Sequence, residues 1–330
     1  MRFVLRRLLF FVVTVWAAVS FNFLVPRLMP GSPVQALESE HPHLNPRAIK
    51  ALTVLLGAHS TRGGLWSQYV EYWHHVVTFN FGISITTSFG TPVRTMVLDA
   101  LPWTLGLLGT TTIIAFVAGT LIGLVSAWRR GSLLDSALPP IFVILSSFPY
   151  FVLALLAIYA FATTLTVFPN EGAYSLGAVP SFTLGYIGDV LDHALLPALT
   201  ILVTSVGGWI LTMRNNTITV LAEDYVRMAR AKGLKSWQVM WRYAGKNAIL
   251  PNLTGFAMSF GFIVSGAILV EWVYNYPGLG YMLLNSVSAH DFPLMQALFL
   301  LITVAVLACV LLADIVAALI DPRTRELQHA

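Results

Sequence analysis

Apolar stretches recur six times along the chain, each near the ~20 residues an α-helix needs to cross hydrocarbon. They run from Leu8 to Val25, roughly Leu101 to Trp128, and about Leu134 to Phe161. The others run from about Ala194 to Met213, from near Pro251 to near Val270, and from about Met295 to Ile320. The pattern predicts an all-α membrane protein with six transmembrane helices. Pro149, within "SSFPYF", lacks a backbone donor and predicts a kink in the third. Residues 29–100 are polar and mixed. They predict a small extracytoplasmic cap with one or two short helices, since in "LWSQYVEYWHHVVTF" aromatic and apolar residues fall at helical spacing. The charged start and apolar stretch of "MRFVLRRLLFFVVTVWAAVSFNFLV" could be a signal peptide. The stretch is long enough to span, no A-x-A site follows, and "PRLMPGSPV" is a stiff exit, so an uncleaved first span is expected.

Composition strengthens this picture. The chain is 57% hydrophobic and 10% charged, against about 25% charged in a soluble domain. Mean hydropathy is +0.75. The single cysteine, Cys309, excludes a disulfide framework or a cysteine-based metal site within the chain. Basic residues are scattered around the spans, which argues against nucleic acid. Their distribution sets the orientation. Fourteen of the 19 Lys and Arg residues lie before span one, between spans two and three, between four and five, or after span six. The positive-inside rule then puts both termini in the cytoplasm. The expected division is 1–28 for the N-terminus and first span, 29–100 for the outer segment, 101–321 for the transmembrane domain and 322–330 for a cytoplasmic tail.

One cytoplasmic stretch, within 214–250, stands apart: "EDYVRMARAKGLKSWQVMWRYAGKNAILP" from Glu223 to Pro251. Glu223 and Arg227 are spaced i,i+4 in the favourable order. Gly233 suits a left-handed helix end. Ser236 can cap a second helix with Trp237, Met240, Trp241 and Ala244 along one face, and Pro251 marks re-entry into the membrane. The stretch reads helix, glycine elbow, amphipathic helix. Its charges alone also suit an interfacial loop.

Catalytic and metal signatures are absent from the sequence. There is no G-x-x-x-x-G-K-[ST] and no H-E-x-x-H, so the chain is not expected to hydrolyse ATP itself. His74-His75 is a bare pair without further ligands nearby. Asp314 is the clearest ionisable residue within a span, and a position near the interface explains it. In span five, Ala257, Gly261 and Ser265 recur every four residues, and Gly255 pairs with Ser259. Small residues at that spacing let helices pack closely, and they also suit a helix lining a path. Thr200, Thr204, Ser205, Gly207 and Gly208 form a similar streak in span four. Candidate path residues are Thr204, Ser205, Ser259, Gly261 and Ser265.

"DYVRMARAKGL" followed by "NAILP" resembles the coupling loop of permeases in bacterial ABC importers, E-A-A-x-x-x-G, a spacer, then hydrophobic-Leu-Pro. Gly233, Ala229 and Leu250-Pro251 match, while Arg227 stands at the glutamate position, as in the peptide/nickel branch. "NFGISI", "WRRGSLLDSALP", "SFPYFVLALL", "EWVYNYPGLGYMLLNSV" and "DFPLMQALFLL" resemble that branch in order and spacing, so the likeness covers nearly the whole chain. It implies a type I importer permease fold in the bacterial inner membrane. It also implies a second related permease, two ATPase subunits that bind ATP and Mg, and an extracytoplasmic substrate-binding protein. The chain itself would hold no cofactor. The resemblance assigns ATPase coupling to Glu223, Asp224, Arg227, Ala229, Arg230, Ala231, Lys232, Gly233, Leu234, Leu250 and Pro251. It implies a polar cargo, an oligopeptide or oligosaccharide, with nickel disfavoured by the lack of His, Cys and Met clusters in the spans. The alternatives are a stand-alone secondary transporter or channel, for which no inverted repeat is visible, and a membrane enzyme, for which no catalytic set is visible.

Overall fold

The computed structural model describes residues 2–28, 45, 64–263 and 268–320. Among these, regular structure is helical, and one isolated antiparallel bridge joins Ile83 to Pro92. Four helical stretches are long and apolar enough to cross a membrane: Arg7–Val25, Val93–Trp128, Leu184–Leu221 and Phe292–Leu312. A bent pair, Leu133–Ser146 with Tyr150–Thr164, turned by 96°, meets the same test of length and apolarity when taken together, as a broken span or a re-entrant loop. The expected fifth span falls partly on residues 264–267, which lie outside the described set; helices Leu250–Ile263 and Ile268–Val273 flank them. Most of residues 29–63 and the tail 322–330 also lie outside it.

The chain forms two compact units. One comprises Met1–Thr104 with Pro277–Ala308; the other comprises Leu105–Tyr276 with Cys309–Ala330. In the first unit, helix α1 (Arg2–Leu28) meets α2 (Leu65–Thr78), a short helix expected in the outer segment. Val19, Phe23, Tyr72 and Leu300 form their shared core. Polar groups on the apolar α1 are satisfied by partners, as hydrocarbon demands. Asn22 donates to the Tyr72 hydroxyl and to the Gln296 carbonyl, both at 2.9 Å. Asp291 is fully buried. Its carboxylate accepts from the Ser84 hydroxyl and from the backbone N–H groups of Ile85, Thr86 and Thr87, the last at 3.0 Å. One side chain thus fastens the 84–87 turn to the start of the Phe292 helix.

The second unit is built on α3 (Thr110–Trp128), α4 (Leu133–Ser146), α5 (Tyr150–Ala157) and the 38-residue α6 (Leu184–Leu221). Close approach of α3 and α6 rests on glycine. A Cβ at Gly119 would stand 2.5 Å from the Trp209 Cβ, and one at Gly123 would stand 2.5 Å from the Ile210 carbonyl oxygen. Small residues therefore do serve helix packing here. The break between α4 and α5 falls at Pro149, where the sequence predicts it. Its size, close to a right angle, exceeds a simple kink because Ser147 and Phe148 also leave the helix.

Candidate functional site

The charged stretch folds as two packed helical pieces at the end of α6. Helix α7 (Asp224–Ala231) begins at the N-cap Glu223. It ends in a Schellman arrangement: the Gly233 N–H reaches the Arg230 carbonyl at 2.9 Å, and the Leu234 N–H reaches that of Ala229 at 3.4 Å. Gly233 has φ +73°, the left-handed region that glycine enters without steric cost. The elbow expected from the sequence is therefore present. Arg227 pairs with Asp224, one turn back at 3.7 Å, rather than with Glu223. Both side chains are exposed, so the pair contributes little.

The second piece differs from expectation. Lys235, not Ser236, is the N-cap, and no side chain caps it. After Ser236–Gln238 the chain makes a π-helical turn, Val239–Gly245, before Lys246–Ala248. A π turn carries an extra residue and rotates the face that follows. The residues expected on one face are consequently divided. Ala244 is buried and Met240 half-buried, while Trp237 and Trp241 are 55% and 42% exposed. Val226, Ala229 and Val239 form the core between the two pieces, against Trp128, Val220 and Leu221. Asn247 Nδ2 donates to the Tyr225 hydroxyl at 2.7 Å. The Arg230 guanidinium lies 5.2 Å from the centre of the Trp128 ring, a cation–π contact. Ala231, Lys232 and Leu234 are exposed. Leu250 and Pro251 open helix α8 (Leu250–Ile263), where proline's missing donor costs nothing. The outward surface shows Tyr225, Met228, Leu234, Trp237 and Trp241 among basic residues. Large apolar side chains gathered in that way mark an interaction surface.

A cavity of about 530 Å³ lies within the second unit. Thr204, Ser205, Gly208 and Trp209 of α6 line it, with Thr112 of α3, Ser259 of α8, and Ser146, Phe148 and Tyr150 at the helix break. Thr204, Ser205 and Ser259 were anticipated as path residues, and the structure brings them to one space. The surroundings of Gly261 and Ser265 lie outside the described residues. Thr112, Ser146 and Tyr150 were not anticipated; Thr112 ends a run of three threonines, Ser146 precedes Ser147, and Tyr150 directly follows Pro149. Among the described residues, no Asp, Glu, Lys, Arg or His lines the cavity. Three of its hydroxyls are held by their own helices: Thr204 donates to the Ile201 carbonyl at 2.9 Å, Ser205 to the same carbonyl at 2.6 Å, and Ser146 to that of Phe142 at 2.7 Å. The broken backbone at Pro149 thus borders a cavity, where irregular backbone is tolerated at membrane depth.

An ion pair also escaped the sequence. Arg214 on α6 grips Asp135 at the start of α4 with two prongs, Nε to Oδ1 at 2.5 Å and Nη2 to Oδ2 at 3.2 Å. The Gly131 N–H adds a third bond at 3.0 Å. The Asp314 side chain lies outside the described ones. In the first unit, His75 of the His74-His75 pair sits 3.8 Å from Glu71.

Residues 119–326 match the family of binding-protein-dependent transport system inner membrane components. Over 325 residues, 98% of this chain and 99% of the relative, the chain is 32% identical to a probable peptide ABC transporter permease of Sinorhizobium fredii. It is 30% identical to a dipeptide transport system permease of Lactococcus lactis, covering 98% of this chain and 99% of that one. The same figures hold for a glutathione transport system permease of Escherichia coli.

Proposed function

Because this chain belongs to the binding-protein-dependent transport system inner membrane component family, as a non-catalytic ABC importer permease, we propose that it passes short peptides through the cavity at α6. Movement of the cavity is driven through the 223–251 stretch. The carrying observation is that α6 lines the cavity and ends at the charged stretch, so one helix joins the two. The peptide assignment draws on relatives named for peptide, dipeptide and glutathione transport. The lining, which has no charged side chain among the described residues, favours one second reading, an oligosaccharide, whose neutral hydroxyls need no counter-charge.

In this reading two ATPase subunits bind ATP and Mg. A second permease completes the passage, and an extracytoplasmic binding protein delivers cargo. Both termini and the charged stretch face the cytoplasm, as the basic residues argue. Trp237 and Trp241 form the apolar centre of the ATPase contact, and the surrounding Lys and Arg meet acidic or polar groups. A short rigid helix pair can transmit a rigid-body push, whereas a flexible loop cannot. The test replaces both tryptophans with serine in the full complex. The expected result is permease still in the membrane but no longer co-purifying with its ATPases. Intact assembly with cargo-stimulated ATP hydrolysis unchanged would sink the assignment.

A further inference from the structure

Trp209 lines the cavity and is also built into the packing of α3, α6 and α8. Its ring meets Phe116 edge-on at 88°, with centroids 5.4 Å apart, and Phe256 at 70° and 6.5 Å. Phe116 and Phe256 stack on each other at 4.2 Å. Two glycines leave room for the indole. A Cβ at Gly119 would stand 2.5 Å from the Trp209 Cβ, and one at Gly255 would stand 3.3 Å from Cζ3, on the far edge of the ring. The indole is therefore confined near its root and at its rim. Its backbone carbonyl accepts from Asn252 Nδ2 at 3.3 Å. Asn252 is fully buried and also donates to the Thr120 hydroxyl at 3.2 Å. It directly follows Pro251, the last residue of the charged stretch.

In a cavity whose described lining carries no charged side chain, shape discriminates more than charge does. A rigid aromatic wall held by close packing resists deformation by an oversized occupant. We propose that Trp209 sets the size of cargo the cavity admits, and that Asn252 positions it by tying its backbone to the exit of the charged stretch. The inference rests on the cavity being the path.

The assay is uptake by proteoliposomes holding the whole importer. The probes are a ladder of alanine peptides and a ladder of glucose oligomers, each from dimer to hexamer. Trp209→Ala should raise the ratio of longest to shortest oligomer taken up by about tenfold, the low end for a changed apolar pocket. Trp209→Phe should shift the ratio less, in the same direction. Asn252→Ala should shift it with the indole still present, and Asn252→Ser, which keeps a donor, should restore part. Equal changes at every length overturn the proposal. If Trp209→Ala does not assemble, Trp209→Phe and Gly255→Ala carry the test, and an unaltered ratio in both overturns it. Thr204→Cys in a Cys309→Ser background separates the two levels. Uptake blocked by a methanethiosulfonate reagent, with no length effect at Trp209, removes this inference alone. Uptake indifferent to the reagent, or a wild type carrying neither ladder, removes the path or cargo reading and this inference with it.

Discussion

Replacing Asp135 with alanine should cost about 3 kcal/mol, and the structure sets that scale. The carboxylate accepts two bonds from Arg214 and one from the Gly131 N–H, and its side chain is only 6% exposed. Removing one partner of a buried pair costs roughly 3–5 kcal/mol, because the other charge is stranded. Arg214 is 23% exposed and recovers some water, which puts Asp135→Ala at the low end of that range. Arg214→Ala strands the more buried partner and should cost about 4 kcal/mol. The double variant strands neither charge, so it should cost about 3 kcal/mol less than the two losses added. The measurement is equilibrium unfolding of wild type, both single variants and the double variant in mixed micelles. Losses that add to within about 0.5 kcal/mol would refute the pairing.

Four further outcomes follow from the geometry. Gly207→Ala places a Cβ about 2.6 Å from the Phe142 carbonyl oxygen and should cost about 1–3 kcal/mol. Its neighbour Gly208 faces open space and the cavity, so Gly208→Ala should leave unfolding unchanged while slowing uptake. Gly233→Ala meets no atom within 4 Å but must hold φ +73°; the expected cost is about 1 kcal/mol, read as a lower thermal midpoint with membrane insertion unaffected. Asp291→Ala leaves the Ser84 hydroxyl and the backbone N–H groups of Ile85, Thr86, Thr87 and Leu294 without their acceptor and should cost about 3 kcal/mol or more, read as early proteolysis near residues 84–87.

The first, second, fourth and sixth spans were legible because hydropathy is a local signal of bilayer length, and the break at Pro149 because proline acts on its own backbone. The glycine elbow at Gly233 was legible for the same reason. The rotated face after Ser236 was not. A π turn has no residue signature, and the tryptophans expected on the same face as Ala244 look outward once the extra residue is counted. Arg214 registered only as one more basic residue on the expected inner side, since its partner lies 79 positions earlier. Asp291 was likewise hidden, because its acceptor role is defined by a turn 204–207 residues away. Thr204, Ser205 and Ser259 stood out as streaks of small residues. Thr112, Ser146 and Tyr150 joined them only through the fold.

Helix α6 has one more implication. Its 38 residues, at 1.5 Å each, extend about 57 Å, well beyond the ~30 Å of hydrocarbon. Under the proposed coupling, a single element therefore bears both the chamber wall and the seat of the ATPase contact. Thermodynamic linkage between two such sites is reciprocal. Whatever factor the docked partner applies to cargo affinity, bound cargo must return to the affinity of the partner. Cargo is then an effector of subunit assembly as well as a passenger, and the apparent dissociation constant of the ATPases becomes a gauge of chamber occupancy.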